Sequence, residues 1–173
     1  MSNSNSPFQV FRFCPRCGSS GFVKADEKSL KCGVCGFRYY FNMSASVAAV
    51  IRNEHNEVLF TIRKHEPAAG LLDLPGGFVD PGETAEEAVK REIREELNLQ
   101  VVGMSFYASF PNQYLFGDIY YQTLDLVFTC MVDSFECIRP DDDVAGYVFR
   151  NPAEVKAEEI GLVSIRNIVR GLE

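Results

Sequence analysis

The stretch Thr84-Ala85-Glu86-Glu87-Ala88-Val89-Lys90-Arg91-Glu92-Ile93-Arg94-Glu95-Glu96-Leu97 constrains this chain more than any other. On a helical wheel at about 100° per residue, Ala85, Ala88, Val89 and Ile93 form one apolar arc, with Glu87, Lys90 and Arg94 opposite. Glu92 and Glu96 break this division. They fall inside the apolar arc, one turn apart, and Glu95 lies at its edge. A helix that packs this arc on a core carries both carboxylates inward. Two like charges buried side by side are costly, or one stays protonated. A divalent cation removes that penalty, because carboxylates one turn apart can converge on a hard ion. A solvated, charge-rich face is the usual account of such runs, and the phase of the two glutamates argues against it here.

The loop before this helix runs through Leu74-Pro75-Gly76-Gly77 to Asp80-Pro81-Gly82. Gly77, Glu83, Arg91-Glu92-Ile93, Glu95-Glu96 and Leu99 match, position by position, the signature of the Nudix hydrolases: Gly, five residues, Glu, seven residues, Arg-Glu-apolar, any, Glu-Glu, any, Gly, apolar. One position departs, since Asn98 stands where the family has glycine. Asn is the next best residue for the left-handed conformation that ends a helix. The resemblance implies an α+β fold, the Nudix α/β/α sandwich with a mixed sheet. It implies hydrolysis of a pyrophosphate bond in a nucleoside diphosphate-linked small molecule, with Mg2+ or Mn2+ as cofactor. Carried over residue by residue, Glu92, Glu95 and Glu96 become ligands of that metal, joined by a backbone carbonyl of Gly76 or Gly77. Arg91 and Glu83 orient the carboxylates. The general base is Glu92 or an acid on a later loop, for which Asp142 is the candidate, and Asp142 is a candidate metal ligand as well. The cluster Asp141-Asp142-Asp143 reads equally as a solvated turn.

Cys14-Pro15-Arg16-Cys17-Gly18 and Cys32-Gly33-Val34-Cys35-Gly36 form paired knuckles. Thiolates at that spacing grip one ion in a tight turn, and the following glycines permit the backbone angles required. A redox dithiol uses one pair, and disulfides are disfavoured in a reducing cytosol. Cys14, Cys17, Cys32 and Cys35 are therefore predicted to hold a structural Zn2+ in a small ribbon over residues 1–43, ahead of a domain over 44–173. Phe37, Tyr39, Tyr40 and Phe41 are expected to cap the ribbon's core rather than bind a ligand. Cys130 lies in an apolar run and reads as core packing.

Ser46 to Ile51, Val58 to Arg63, Val101 to Phe110, Tyr120 to Val132 and Val144 to Phe149 read as strands. Asn112 to Asp118 reads as a turn-rich loop, and Glu158 to Gly171 has helical spacing of Ile160, Val163, Ile168 and Val169. His55 and His65 read as solvated loop residues. The chain of 173 residues carries a net charge of −7, which argues against a broad surface for nucleic acid. No apolar run has the length of a membrane helix. The polar start from Met1 to Pro7 carries no signal pattern, so a cytoplasmic address is the expectation.

A zinc ribbon directly before such a domain resembles the NADH pyrophosphatase branch of the family. That branch carries Ser-Gln-Pro-Trp-Pro-Phe-Pro after the signature, where this chain has Ser109-Phe110-Pro111-Asn112-Gln113-Tyr114, without tryptophan. The substrate therefore stays open among NADH, ADP-ribose and similar molecules. Phe110 and Tyr114 either stack a base or pack the core, and Arg63 is either a phosphate contact or a surface charge. Relatives in the family are often homodimers. A second class, a nucleotide-sensing regulator whose ribbon binds nucleic acid or protein, has no need of Glu92, Glu95 and Glu96 together, which favours the enzyme.

Overall fold

In the computed structural model, which describes residues 5–172, the alternation of side chains along one strand sets the architecture. Met1 to Ser4, part of the polar start, and Glu173 lie outside the described residues. Strand β4 (Ser44–Ile51) turns Val47, Ala49 and Ile51 to one face and Ala48 and Val50 to the other. The first face packs on helix α2 (Ala85–Leu97) through Ala88, Val89, Ile93 and Leu97, all fully buried. Burying each of the three larger side chains stabilises the domain by about 1.5–3 kcal/mol. The second face packs on helix α3 (Val163–Arg170) through Ile165, Ile168 and Val169. The result is an α/β/α sandwich.

The remaining elements, in chain order, are a turn of helix α1 (Pro7–Val10) and strands β1 (Phe22–Asp26), β2 (Ser29–Cys32) and β3 (Arg38–Tyr40). After β4 come β5 (Val58–Arg63), β6 (Leu72–Asp73), β7 (Val101–Phe116), β8 (Ile119–Val132) and β9 (Val144–Arg150). The order β4-β8-β7 has β4 parallel to β8, from Ser44 opposite Thr123 to Ile51 opposite Cys130. The order β6-β5-β9 is antiparallel throughout. Cys130 is buried in the α2-side core, as a small apolar residue would be.

The predicted loop from Asn112 to Asp118 is corrected. It is mostly strand, and the hairpin between β7 and β8 turns on Gly117 and Asp118 alone, with φ of 54° and 62°. Both positive angles suit a two-residue turn that matches strand twist. Pro111 is accommodated because β7 is the outer strand of its sheet and needs no ladder bond on that side.

The chain divides into two compact units: the chain up to Met43 with Gln113–Gln122, and Ser44–Asn112 with the chain from Thr123 onward. The hairpin tip thus groups with the N-terminal unit. The small unit is the antiparallel sheet β1-β2-β3 over a core of Cys14, Phe22, Leu30 and Cys32, against which Phe8, Phe37 and Phe41 pack. Tyr39 and Tyr40 are exposed at 42% and 46%, so only half of the expected aromatic cap enters that core. Among the described residues, no helix is long and apolar enough to cross a membrane.

Candidate active site

Helix α2 begins with a capping box. Thr84 Oγ1 accepts the Glu87 N–H at 3.2 Å, and Glu87 Oε2 accepts the Thr84 N–H at 2.8 Å. It ends at Asn98, which takes the left-handed conformation at φ 56° and donates from Nδ2 to the Cys137 carbonyl at 3.0 Å. Asparagine therefore serves where the signature has glycine. These two ends bound the helix, and the burial of Ala88, Val89, Ile93 and Leu97 sets its rotation and with it the inward aim of Glu92 and Glu96.

The signature loop runs beside β4 as an added strand. Ala49 N–H donates to Pro75 O and Val47 N–H to Gly77 O, each at 2.8 Å. The Gly77 carbonyl thus keeps one of its two lone pairs for a further partner. Gly76 has a φ of 152°, and a methyl group there would fall 2.0 Å from Val47 O. A methyl group on Gly77 would fall 2.3 Å from Glu92 Oε1. The two glycines let the loop close over the carboxylates.

Glu96 is 7% exposed, and its Oε2 accepts the Gly76 N–H at 3.0 Å. Burial pushes its carboxyl up to about 9 against that bond, helped by the negative charges of Glu92, Asp73 and Asp142. Glu92 is also raised, first by burial, with Arg91 opposing. Arg91 grips three carboxylates. Its Nε and Nη2 hold both oxygens of Glu83 at 2.9 Å, and Nη1 holds Glu92 Oε1 at 2.8 Å and Glu95 Oε2 at 3.0 Å. The Arg91 hydrogen bonds hold Glu83 below the usual carboxylate range. Glu95 keeps 42% of its side chain exposed.

Asp142 stands on the turn before β9 with φ 53°, its carbonyl bonded to Lys64 Nζ at 2.8 Å. Its charge acts on Glu92 and on Glu96, so the fold brings this distant acid to the helix carboxylates. Arg63 is engaged elsewhere. Its Nη1 pairs with buried Asp73 and its Nε donates to Pro67 O at 2.7 Å. That geometry makes Arg63 a brace for the strand before the signature loop rather than a free phosphate-binding surface charge. Phe110 packs against the α3-side core, and Tyr114 stacks on Phe116 with ring centroids 6.4 Å apart. The acids Asp73 and Asp125, 7% and 6% exposed, are buried functional candidates that no sequence motif marks. Asp125 left a signal in the run Leu124-Asp125-Leu126-Val127-Phe128: a charge in phase with Val127, which faces a core.

In the small unit, Cys14 Sγ and Cys35 Sγ lie 3.7 Å apart, as do Cys17 Sγ and Cys32 Sγ. All four sulfurs fall within 4.8 Å of one another. A disulfide needs about 2.05 Å. A tetrahedron with Zn–S bonds of about 2.3 Å has edges of about 3.8 Å. The cage fits zinc. Among the described residues it is also the one such cluster of Cys, His, Asp or Glu ligand atoms. Glu92, Glu95 and Glu96 do not converge as tightly, with Arg91 holding two of them. Their donor chemistry fits a different ion: hard, partly buried carboxylate oxygens suit a divalent cation that prefers oxygen ligands.

The NUDIX domain family matches residues 43–170. The chain belongs to that family. It is 30% identical over 118 residues to the NAD-capped RNA hydrolase NudC of Haemophilus influenzae, covering 65% of this chain and 45% of that one. The corresponding protein of Stutzerimonas stutzeri is 32% identical over 110 residues, covering 61% and 39%. The Nudix chain thus spans less than half the length of these curated relatives. Among solved structures, a NUDIX hydrolase from Nitrosomonas europaea superposes with a TM-score of 0.68 at 22% identity, over 93% of this chain and 90% of that one. The NUDIX domain of Shewanella oneidensis NrtR, solved with ADP ribose, gives 0.60 at 20% identity, over 75% and 85%. These likenesses agree with the Nudix sandwich built above.

Proposed function

We propose that this Nudix chain hydrolyses the pyrophosphate bond of a nucleoside diphosphate-linked molecule such as NADH or ADP-ribose, using magnesium or manganese held by Glu92, Glu95 and Glu96. The observation that carries this reading is Glu96: a buried carboxylate among like charges, with one hydrogen bond to hold it. An isolated arrangement of that kind is costly, and perturbed acids in such settings gather at sites of chemistry. The relatives' names and the ADP ribose of the NrtR complex support a nucleotide-linked substrate.

A bound divalent cation supplies charge neutralisation at the phosphates and a water acidic enough to attack near neutral pH. The chain's residues supply the rest. Arg91 and Glu83 lock the helix carboxylates in place through paired hydrogen bonds. Glu92 or Asp142 takes the proton of the attacking water. Water oxygen bonds to one phosphorus, the bridging P–O bond breaks, and the departing phosphate keeps that bond's electron pair. A dinucleotide yields two mononucleotides. Cys14, Cys17, Cys32 and Cys35 hold a structural zinc, and four thiolates leave no open position on it.

A hydrolysis screen over NADH, ADP-ribose, dinucleoside polyphosphates, sugar nucleotides and nucleoside triphosphates tests the reading on zinc-loaded protein with added magnesium or manganese. Turnover that Glu96→Gln reduces about a hundredfold or more is expected. No cleavage of any of them, with nucleotide still bound equally by Glu96→Gln, would hand the chain to the sensor class.

A further inference from the structure

A second group of buried polar side chains lies on the α3 face of the sheet, apart from the helix carboxylates. On β8, Val127 faces that side, so Asp125 and Thr123 share it by strand alternation. Ser46 shares the face of Ala48 and Val50 on β4, and Asn112 that of Phe110 on β7. Thr123, Asp125 and Asn112 are 2%, 6% and 8% exposed. Asp125 Oδ1 accepts from Ser46 Oγ at 2.5 Å and from Thr123 Oγ1 at 3.1 Å. Among the described residues, Oδ2 of Asp125 accepts nothing, and the Asn112 carboxamide makes no hydrogen bond. Neither group is sealed from solvent, since neither counts among the fully enclosed unpaired atoms. Asp125 and Asn112 thus keep hydrogen-bonding capacity that the fold leaves unused, and a ligand that reaches this face has a donor and acceptors to pair with.

The group adjoins the proposed active site. Ser46 bridges by its backbone to Phe78, next to Gly77 of the signature loop. The Asp125 charge acts on Asp73, and the Asp73 charge acts on Glu96.

We propose that Asn112 and Asp125 recognise the part of the substrate beyond its phosphates, through an edge that carries an N–H donor beside an acceptor. The inference rests on the pyrophosphohydrolase reading. A carboxylate only accepts, and the two hydroxyls on Oδ1 leave Oδ2 for one N–H. The Asn112 carboxamide offers donors and an acceptor beside it. An adenine edge, with its amino group next to a ring nitrogen, meets both demands. So does a primary carboxamide of the nicotinamide kind. A guanine edge also sets its N1–H beside the O6 acceptor, so this pair of residues reads the base or carboxamide edge without separating guanine from adenine.

Calorimetric titration of the full chain with AMP, nicotinamide mononucleotide and ribose 5-phosphate tests this without turnover. AMP or nicotinamide mononucleotide should bind about tenfold or more tighter than ribose 5-phosphate, since a site built for hydrogen bonds rejects ligands that leave it unpaired. Whichever of the two wins names the source of the edge. Asn112→Leu and Asp125→Asn should erase the preference and raise KM for the matching diphosphate with kcat little changed. Asn112→Leu should melt at or above the wild-type temperature, because no bond in the fold depends on that amide. Equal binding of all three ligands, or an Asn112→Leu protein that keeps the preference, overturns the inference. A wild type that shows the preference but cleaves no diphosphate overturns the hydrolase reading instead.

Discussion

The backbone N–H of Gly76 donates to Glu96 Oε2 across 3.0 Å, and among the described residues it is that carboxylate's one hydrogen-bond partner. Burial outweighs it and pushes the carboxyl up to about 9. The folded value thus lies above the unfolded one of about 4.3. Below the unfolded value the contribution to stability is complete, and it is lost as pH rises through the folded value. Glu92, raised for the same reason, acts in the same direction. Zinc-loaded protein in buffer free of magnesium and manganese should therefore melt at falling temperatures between about pH 5 and pH 9. Added magnesium should flatten that slope by favouring the carboxylates, and Glu96→Gln should remove much of it. Scanning calorimetry reads all three, and a flat profile for the metal-free wild type would count against the buried acid.

Arg91 bonds to Glu83, Glu92 and Glu95 through three nitrogens, a geometry no ammonium group reproduces. Arg91→Lys should keep the fold but raise the magnesium concentration for half-maximal activity, with Arg91→Ala worse. A loss of about 10–100-fold is expected for a group that orients ligands. Magnesium titrations of activity measure it, and an unchanged midpoint in both variants would remove Arg91 from this role.

The neighbouring glycines should fail in different ways. A methyl group on Gly77 meets the far end of the Glu92 side chain at 2.3 Å, and a flexible carboxylate can swing aside. Gly77→Ala should fold while losing about tenfold or more of its activity through displaced Glu92. A methyl group on Gly76 meets the Val47 carbonyl at 2.0 Å, on backbone that cannot yield. Gly76→Ala should cost a few kcal/mol of stability. Denaturant unfolding beside rate measurements separates the two, and equal behaviour would contradict the contact geometry.

Metal analysis should find about one zinc per chain, held by the four cysteines of the small unit. Cys32→Ser should lose it, because the sulfur at 3.7 Å from Cys17 closes the cage. Cys130→Ser should keep it, since Cys130 is buried in the other unit. Zinc retained by Cys32→Ser would place the metal elsewhere.

Much of this was legible in order along the chain. The phase of Glu92 and Glu96 on α2 follows from a period of about 3.6 residues, and a period is local. The capping box at Thr84 and the left-handed Asn98 needed only near neighbours. The stretch from Asn112 to Asp118 misled for the opposite reason. Its turn-forming residues read as loop, while the edge position of β7, which tolerates Pro111, is a property of the sheet. Arg63 shows the same limit. A cation at a strand end reads as free until a buried acid ten residues on, Asp73, claims it.

The sequence by itself determined the signature loop and helix, the inward phase of their carboxylates and the spacing of the zinc knuckles. Each of these depends on residues within a few turns of one another, where bond geometry leaves few choices. Tertiary structure alone decided that the Asp142 charge reaches Glu92 and Glu96, that Arg63 braces Asp73, and that Asn112 and Asp125 share one buried face. Those relations join strands and turns far apart in the chain. What unites them is sheet register and the burial that packing imposes, and neither is a local property of the residues involved.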